Sequence, residues 1–244
     1  ALFNSLQKVK AKTHRLASHL LEADPKFVTF SNGTFAVEDI ADKTLTIQEV
    51  AGQAYAAANL PDGMEPGLEE VSFFDPQNFA WPNGTHICVV EIEQDTGKVE
   101  VQRYVAVDDF GNVLNPMIVD GMTHGGVAQG IGQALTEQAV YTDDGQLLSG
   151  SLMDYALPSA DMFPMMELDR TVSPSPSNPI GVKGAGEAGT IAASPAVMNA
   201  VVDALAHLGV MHMDMPATSE KVWRAIQDAK ETQRAARATA RAAK

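Results

Sequence analysis

Five glycines, Gly121, Gly125, Gly126, Gly130 and Gly132, interrupt the segment from Met117 to Val140, whose other residues favour helix. Each interior glycine costs about 1 kcal/mol relative to alanine, so a helix through all five forgoes roughly 4 to 5 kcal/mol. Something must offset that loss. Close backbone packing against another element is one explanation, and contact with a buried ligand is the other. His124 and Gln129 are the polar side chains that could face such a ligand. A lone histidine is more often a satisfied structural residue than a metal ligand, so no metal-ligating set is expected.

Glycine density recurs in Asn178-Pro179-Ile180-Gly181-Val182-Lys183-Gly184-Ala185-Gly186-Glu187-Ala188-Gly189-Thr190, which holds four glycines and one carboxylate. Glycine populates positive φ and lets a backbone approach a bound group closely. Two readings follow. The loop either wraps a ligand with Glu187 aimed at it, or simply enters a helix with Glu187 solvated or paired to Lys183. The match of Gly184 to Gly189 to the G-x-G-x-x-G dinucleotide pattern carries no weight, because that pattern needs a preceding buried strand. Three prolines, Pro174, Pro176 and Pro179, stand where the strand would be.

The rest of the chain reads as mixed α+β, with antiparallel hairpins packed by three or four helices and a proline-rich arm. Leu2, Leu6, Val9, Thr13, Leu16 and Leu20 draw one helical stripe that Pro25 stops. Asn32-Gly33 joins two alternating runs as a hairpin. Thr46 and Glu49 form a capping box opening a helix through Ala58. Asp95-Thr96-Gly97 turns a long antiparallel pair, residues 87–92 and 99–107. Residues 139–148 predict a further hairpin, and 211–215 a short strand. Ser194 and Pro195 carry the signature of a helix start, with a face through Leu208. Residues 1–59 are expected to form a helix–hairpin–helix lobe, 60–230 the main region, and 231–244 a disordered Ala/Arg tail.

A formal charge of −14 over 244 residues disfavours nucleic acid or anionic membrane as a partner. The single cysteine, Cys88, excludes an internal disulfide, and no apolar run is expected to span a membrane, which makes the cytoplasm the default location. The start at Ala1 reads as a processed or trimmed chain or a piece of something longer.

Taken together, His124 to Leu135, Gly150-Ser151-Leu152-Met153-Asp154-Tyr155-Ala156-Leu157-Pro158 and Gly181 to Thr190 resemble the molybdenum hydroxylase (xanthine oxidase) large subunits. The nearest branch is that of aerobic carbon monoxide dehydrogenase large chains and aldehyde oxidoreductases. The resemblance runs from about residue 1 to Ile226 and is to the C-terminal molybdopterin-binding part only. It implies a molybdopterin cofactor, in the cytosine dinucleotide form, carrying molybdenum, with copper added in the carbon monoxide branch. Glu187 matches the glutamate that acts as general base beside the metal. Lys183, Gly184, Ala185 and Gly186 would contact the cofactor, chiefly through backbone N–H groups, and Gln129 and Gln133 would add polar contacts. Met122 stands where relatives carry a glutamine that contacts the pterin. The implied partners are an iron–sulfur subunit, an FAD subunit, the missing N-terminal part of the large subunit and a small-molecule substrate. That substrate is carbon monoxide, an aldehyde or a heteroaromatic compound. The isolated chain is expected to be inactive; the alternative is a non-catalytic fragment or assembly module that needs a partner chain.

Overall fold

The computed structural model describes residues 1–242 and divides into two compact units, Ala1–Gln77 and Asn78–Lys244. In the first, α1 (Leu2–Leu20) is followed by β1 (Val28–Ser31), β2 (Thr34–Val37), β3 (Thr44–Thr46) and α2 (Ile47–Ala56). The three strands form an antiparallel sheet in chain order, with Ser31 opposite Thr34 across the Asn32-Gly33 turn. Thr46 and Glu49 make the full reciprocal capping box. Leu16, Phe35 and Val50 centre the core, and Leu60, Met64 and Leu68 pack against it. The lobe therefore extends past the expected Asn59, and the compact unit runs to Gln77.

The second unit is built on a three-stranded sheet. Strands β4 (Asn83–Ile92) and β5 (Val99–Asp109) form the expected hairpin, with a register shift between Val89 and Val90. Strand β6 (Glu167–Thr171) lies parallel to β5, within the proline-rich arm of residues 158–179, where the sequence predicts no strand. Helices α3 (Pro116–Leu135) and α4 (Ala188–Leu205) pack on each other and, with α5 (Ser219–Ala242), close one core around Tyr104, Ile131, Val197, Val201 and Ile226.

Several expectations are corrected. Helix α4 begins at Ala188, not Ser194, and Pro195 sits inside it on an exposed turn. The expected 139–148 hairpin is present in short form, with Tyr141 bridged antiparallel to Leu147 and Leu148 N donating to Val140 O (2.8 Å), whereas 211–215 forms no strand. Residues 231–242 continue α5 as helix; the last two residues of the expected tail lie outside the described residues. Residues 188–208 are also long and apolar enough to cross a membrane by length and composition, contrary to expectation. One face of this helix, with Val197, Val201 and Leu205, is buried in the core, while Ile191 is exposed.

Candidate functional site

Three glycines set the distance between α3 and α4. A Cβ on Gly126 would lie 2.9 Å from Thr190 N, one on Gly130 2.5 Å from Ala193 Cβ, and one on Gly189 2.6 Å from Thr123 O. At that separation two hydroxyls reach across: Thr190 Oγ1 donates to Gly126 O (3.0 Å), and Ser194 Oγ to Gly130 O (3.1 Å). Close packing therefore accounts for Gly126 and Gly130. Gly132 is crowded by Pro158 and Glu137, whereas Gly121 and Gly125 face open space. Ser194 spends its hydroxyl on this contact instead of on a helix cap.

The helix pair fixes where α4 starts, and Glu187 is the residue before it. Its side chain makes no capping hydrogen bond and is exposed. The Met122 side chain of α3 lies beside Gly186, 3.5 Å from where a Cβ would be. The loop therefore stands next to the helix bearing His124. Among the described residues, the N–H groups of Ala185, Gly186, Glu187, Ala188, Gly189 and Thr190 have no protein acceptor, and Ile191 N is the first to donate back, to Glu187 O (3.0 Å). Helix N-termini with free N–H groups favour oxygen-rich anions.

Not all of the loop is available. Lys183 N donates to Phe110 O (2.9 Å) and Gly184 N to Ala80 O (3.1 Å). The Lys183 ammonium is 3.2 Å from Asp109 Oδ1, with both side chains largely buried. The expected backbone contacts of Lys183 and Gly184 to a cofactor are thus corrected, because distant segments already take those N–H groups. Ala185 and Gly186 keep theirs. Gln129 is exposed on the same stripe of α3 as Met122 and Gly125. Gln133 Oε1 lies 3.1 Å from Ser194 Oγ and belongs to the helix contact. His124 Nδ1 meets Asp120 O of its own helix at 2.8 Å, which satisfies it locally.

Beneath the start of α4 lies a cavity of about 130 Å³ lined by Pro82, Asn83, Gly84, Asp108, Ala188, Ile191 and Ala192. Behind its wall the buried His86 bridges Tyr104 Oη (2.7 Å) and Asp108 Oδ1 (3.3 Å). Burial pushes the Tyr104 hydroxyl up, helped by the nearby Cys88 and Asp108. Asp108 and Asp109 are both buried. Sequence reading misses this acidic pair, whose only cue is two adjacent acids closing an apolar strand. Among the described residues no three His, Cys, Asp or Glu groups are placed to hold a metal.

A helix start with free N–H groups beside an exposed carboxylate suits an oxygen-rich group lying against it. The chain belongs to the molybdopterin cofactor-binding domain family, whose profile matches residues 1–164. It is 42% identical over 228 residues to the carbon monoxide dehydrogenase large chain of Hydrogenophaga pseudoflava, a match covering 93% of this chain and 28% of that one. A crystal structure of Cu,Mo-CO dehydrogenase in its carbon monoxide reduced state superposes with a TM-score of 0.85 at 37% identity, covering 92% of this chain and 28% of that one. Quinoline 2-oxidoreductase from Pseudomonas putida 86 superposes with a TM-score of 0.83 at 41% identity, covering 90% and 28%. The chain thus spans a little over a quarter of the length of these three relatives, all of which bear oxidoreductase names.

Proposed function

We propose that this chain is the C-terminal segment of a molybdopterin-dependent hydroxylase large subunit and that Glu187 is its general base. One observation carries the reading: Glu187 sits at the α4 N-terminus with its carboxylate spent on no cap, among N–H groups that lack acceptors. The donor set fits the group. Ala185, Gly186 and the first turn of α4 would hold cofactor oxygens, with the Gln129 amide on the facing stripe of α3. When bound, molybdenum held by the pterin, in its cytosine dinucleotide form, supplies the redox centre that accepts the substrate's electrons. Copper belongs to the site only if the substrate is carbon monoxide. Glu187 would take the proton released as the new carbon–oxygen bond forms, and the exclusion of water around it falls to the remaining part of the large subunit. Iron–sulfur and FAD subunits would carry the electrons away.

Co-expression with the complementary part of such a large subunit tests this. Molybdenum and dye reduction should be recovered in the complex, and Glu187→Gln should cut turnover by at least about a hundredfold, as loss of a general base does, while the molybdenum stays bound. Normal turnover in that variant rejects the role. The 244-residue chain alone should hold no molybdenum through gel filtration and no activity. A stable complex lacking both metal and dye reduction would instead mark the chain as an assembly module.

A further inference from the structure

The segment leading to Glu187 is tied at one point. Asp109 closes β5, its side chain is 4% exposed, and its Oδ1 alone receives three donors: Gly111 N (2.8 Å), Ser173 N (3.2 Å) and the Lys183 ammonium (3.2 Å). These come from the turn just after β5 and, more than sixty residues further on, from the end of β6 and the glycine-rich loop. The same junction is laced by backbone bonds, Asn112 N and Ser175 N to Gly181 O and Lys183 N to Phe110 O. Gly111 holds φ +64°, and a Cβ there would run into Gly181 O. No side chain fits between the two strands of backbone at this point. A buried carboxylate with so many charge-assisted and backbone donors is costly to leave in place without them.

We infer that Asp109 is a positioning residue, which gathers these three segments onto one carboxylate oxygen and, through Lys183, fixes the stretch that presents Glu187. Asp109 touches neither Glu187 nor the free N–H groups; it acts through Lys183 and the Phe110–Lys183 backbone bond. Lys183 is therefore a structural cation facing inward, and its ammonium is not a cofactor contact. The consequence for turnover rests on the reading of Glu187 as base, but the consequence for loop order does not.

The test separates the two. Amide hydrogen exchange is measured on the 244-residue chain carrying Asp109→Asn, Lys183→Met or Lys183→Arg. The Asn and Met variants should raise exchange at the Lys183 and Gly184 amides by at least about tenfold, equivalent to about 1.4 kcal/mol. Amides between Val197 and Val201 in α4 should stay at the wild-type rate, and Lys183→Arg should retain loop protection. Unchanged loop exchange, or an equal rise throughout α4, overturns the inference; Lys183→Met keeps the test open if Asp109→Asn fails to fold. Glu187→Gln should leave the exchange pattern as in wild type. In the complex assembled with its complementary polypeptide, Asp109→Asn should lower kcat with little change in KM. If Glu187→Gln turns over normally there, the base assignment falls while the exchange result stands.

Discussion

Replacing Gly130 by alanine sets two local effects against each other, and the structure decides the winner. Alanine gains about 1 kcal/mol in helix propensity. Its Cβ, however, would land 2.5 Å from Ala193 Cβ, 3.1 Å from Ser194 N and 3.2 Å from Thr190 O. Carbon atoms prefer 3.5 to 4.0 Å, so α3 and α4 must separate by about 1 Å. Forced overpacking of this kind costs about 1 to 3 kcal/mol. Separation also stretches the Thr190 and Ser194 hydroxyl bonds to α3 carbonyls, each worth about 1 kcal/mol. The net expectation is a destabilisation of roughly 2 to 4 kcal/mol. Gly121 is the control, since a Cβ there meets nothing within 4 Å, and Gly121→Ala should stabilise by up to about 1 kcal/mol. Both tryptophans, Trp81 and Trp223, lie in the second unit, so urea unfolding followed by tryptophan fluorescence reports that unit alone. A Gly130→Ala variant as stable as wild type, or two variants shifting in the same direction, would refute the argument that backbone contact between α3 and α4 explains the glycines.

The Cys88 thiol is pushed up to about 11 by burial, so the thiolate that reacts is scarce near neutrality. Labelling by a maleimide at pH 7.5 should be at least about a hundredfold slower than for a free cysteine; labelling at the free rate would show that the strand site is open. Burial pushes the Asp109 carboxyl up, but the Gly111 N–H, the Lys183 ammonium and the Ser173 N–H outweigh it and hold it below the usual carboxylate range. A group lowered in the folded state contributes stability that is present above its unfolded value near 3.9 and lost as pH falls through the folded one. Exposed acids such as Glu100 and Glu167 are lowered as well, so the comparison is between wild type and Asp109→Asn. Below about pH 4 the melting temperature of wild type should fall more steeply than that of the variant, and parallel curves would contradict this.

What sequence makes legible in this chain is what is local. The stripe through Leu16, the Asn32-Gly33 turn, the Thr46–Glu49 box and the Asp95–Gly97 turn each contain their own stabilisation, and each stands where the pattern places it. Strand β6 is invisible because a parallel partner is supplied by a chain segment some sixty residues away, with Val105 opposite Glu167, and prolines flank it on both sides. The start of α4 is misread for an instructive reason. Ser194-Pro195 imitates a helix N-terminus, but the serine is buried and its proton goes to an α3 carbonyl, so tertiary packing overrides a local signal. Composition singles out the glycine-rich loop and its one carboxylate, Glu187, but leaves open whether they face a ligand. Which N–H groups remain free is not legible either, because the acceptors that remove Lys183 and Gly184 from use are Phe110 O and Ala80 O, residues that no spacing rule connects to the loop.

The two sets of glycines that dominate the sequence turn out to act on one residue from opposite sides. On the C-terminal side of Glu187, Gly189 lies against Thr123 O and Gly126, so the first turn of α4 is placed by α3 backbone. On the N-terminal side, Lys183 is held to Phe110 and Asp109, so the loop is placed by the end of β5. Gly184, Ala185 and Gly186 separate Lys183 from Glu187 and Ala188 separates Glu187 from Gly189, and a Cβ on Gly184 or Gly186 would find no protein atom nearer than 3.5 Å. A short span fixed at both ends has little freedom to move its backbone, while its glycines leave one face clear for a group lying against it. The anchors thus fix where Glu187 stands, and the small residues beside it leave its surroundings open. Loosening either anchor should therefore displace Glu187 without obstructing the open face, whereas bulk added at Gly186 should obstruct the face without displacing the anchors.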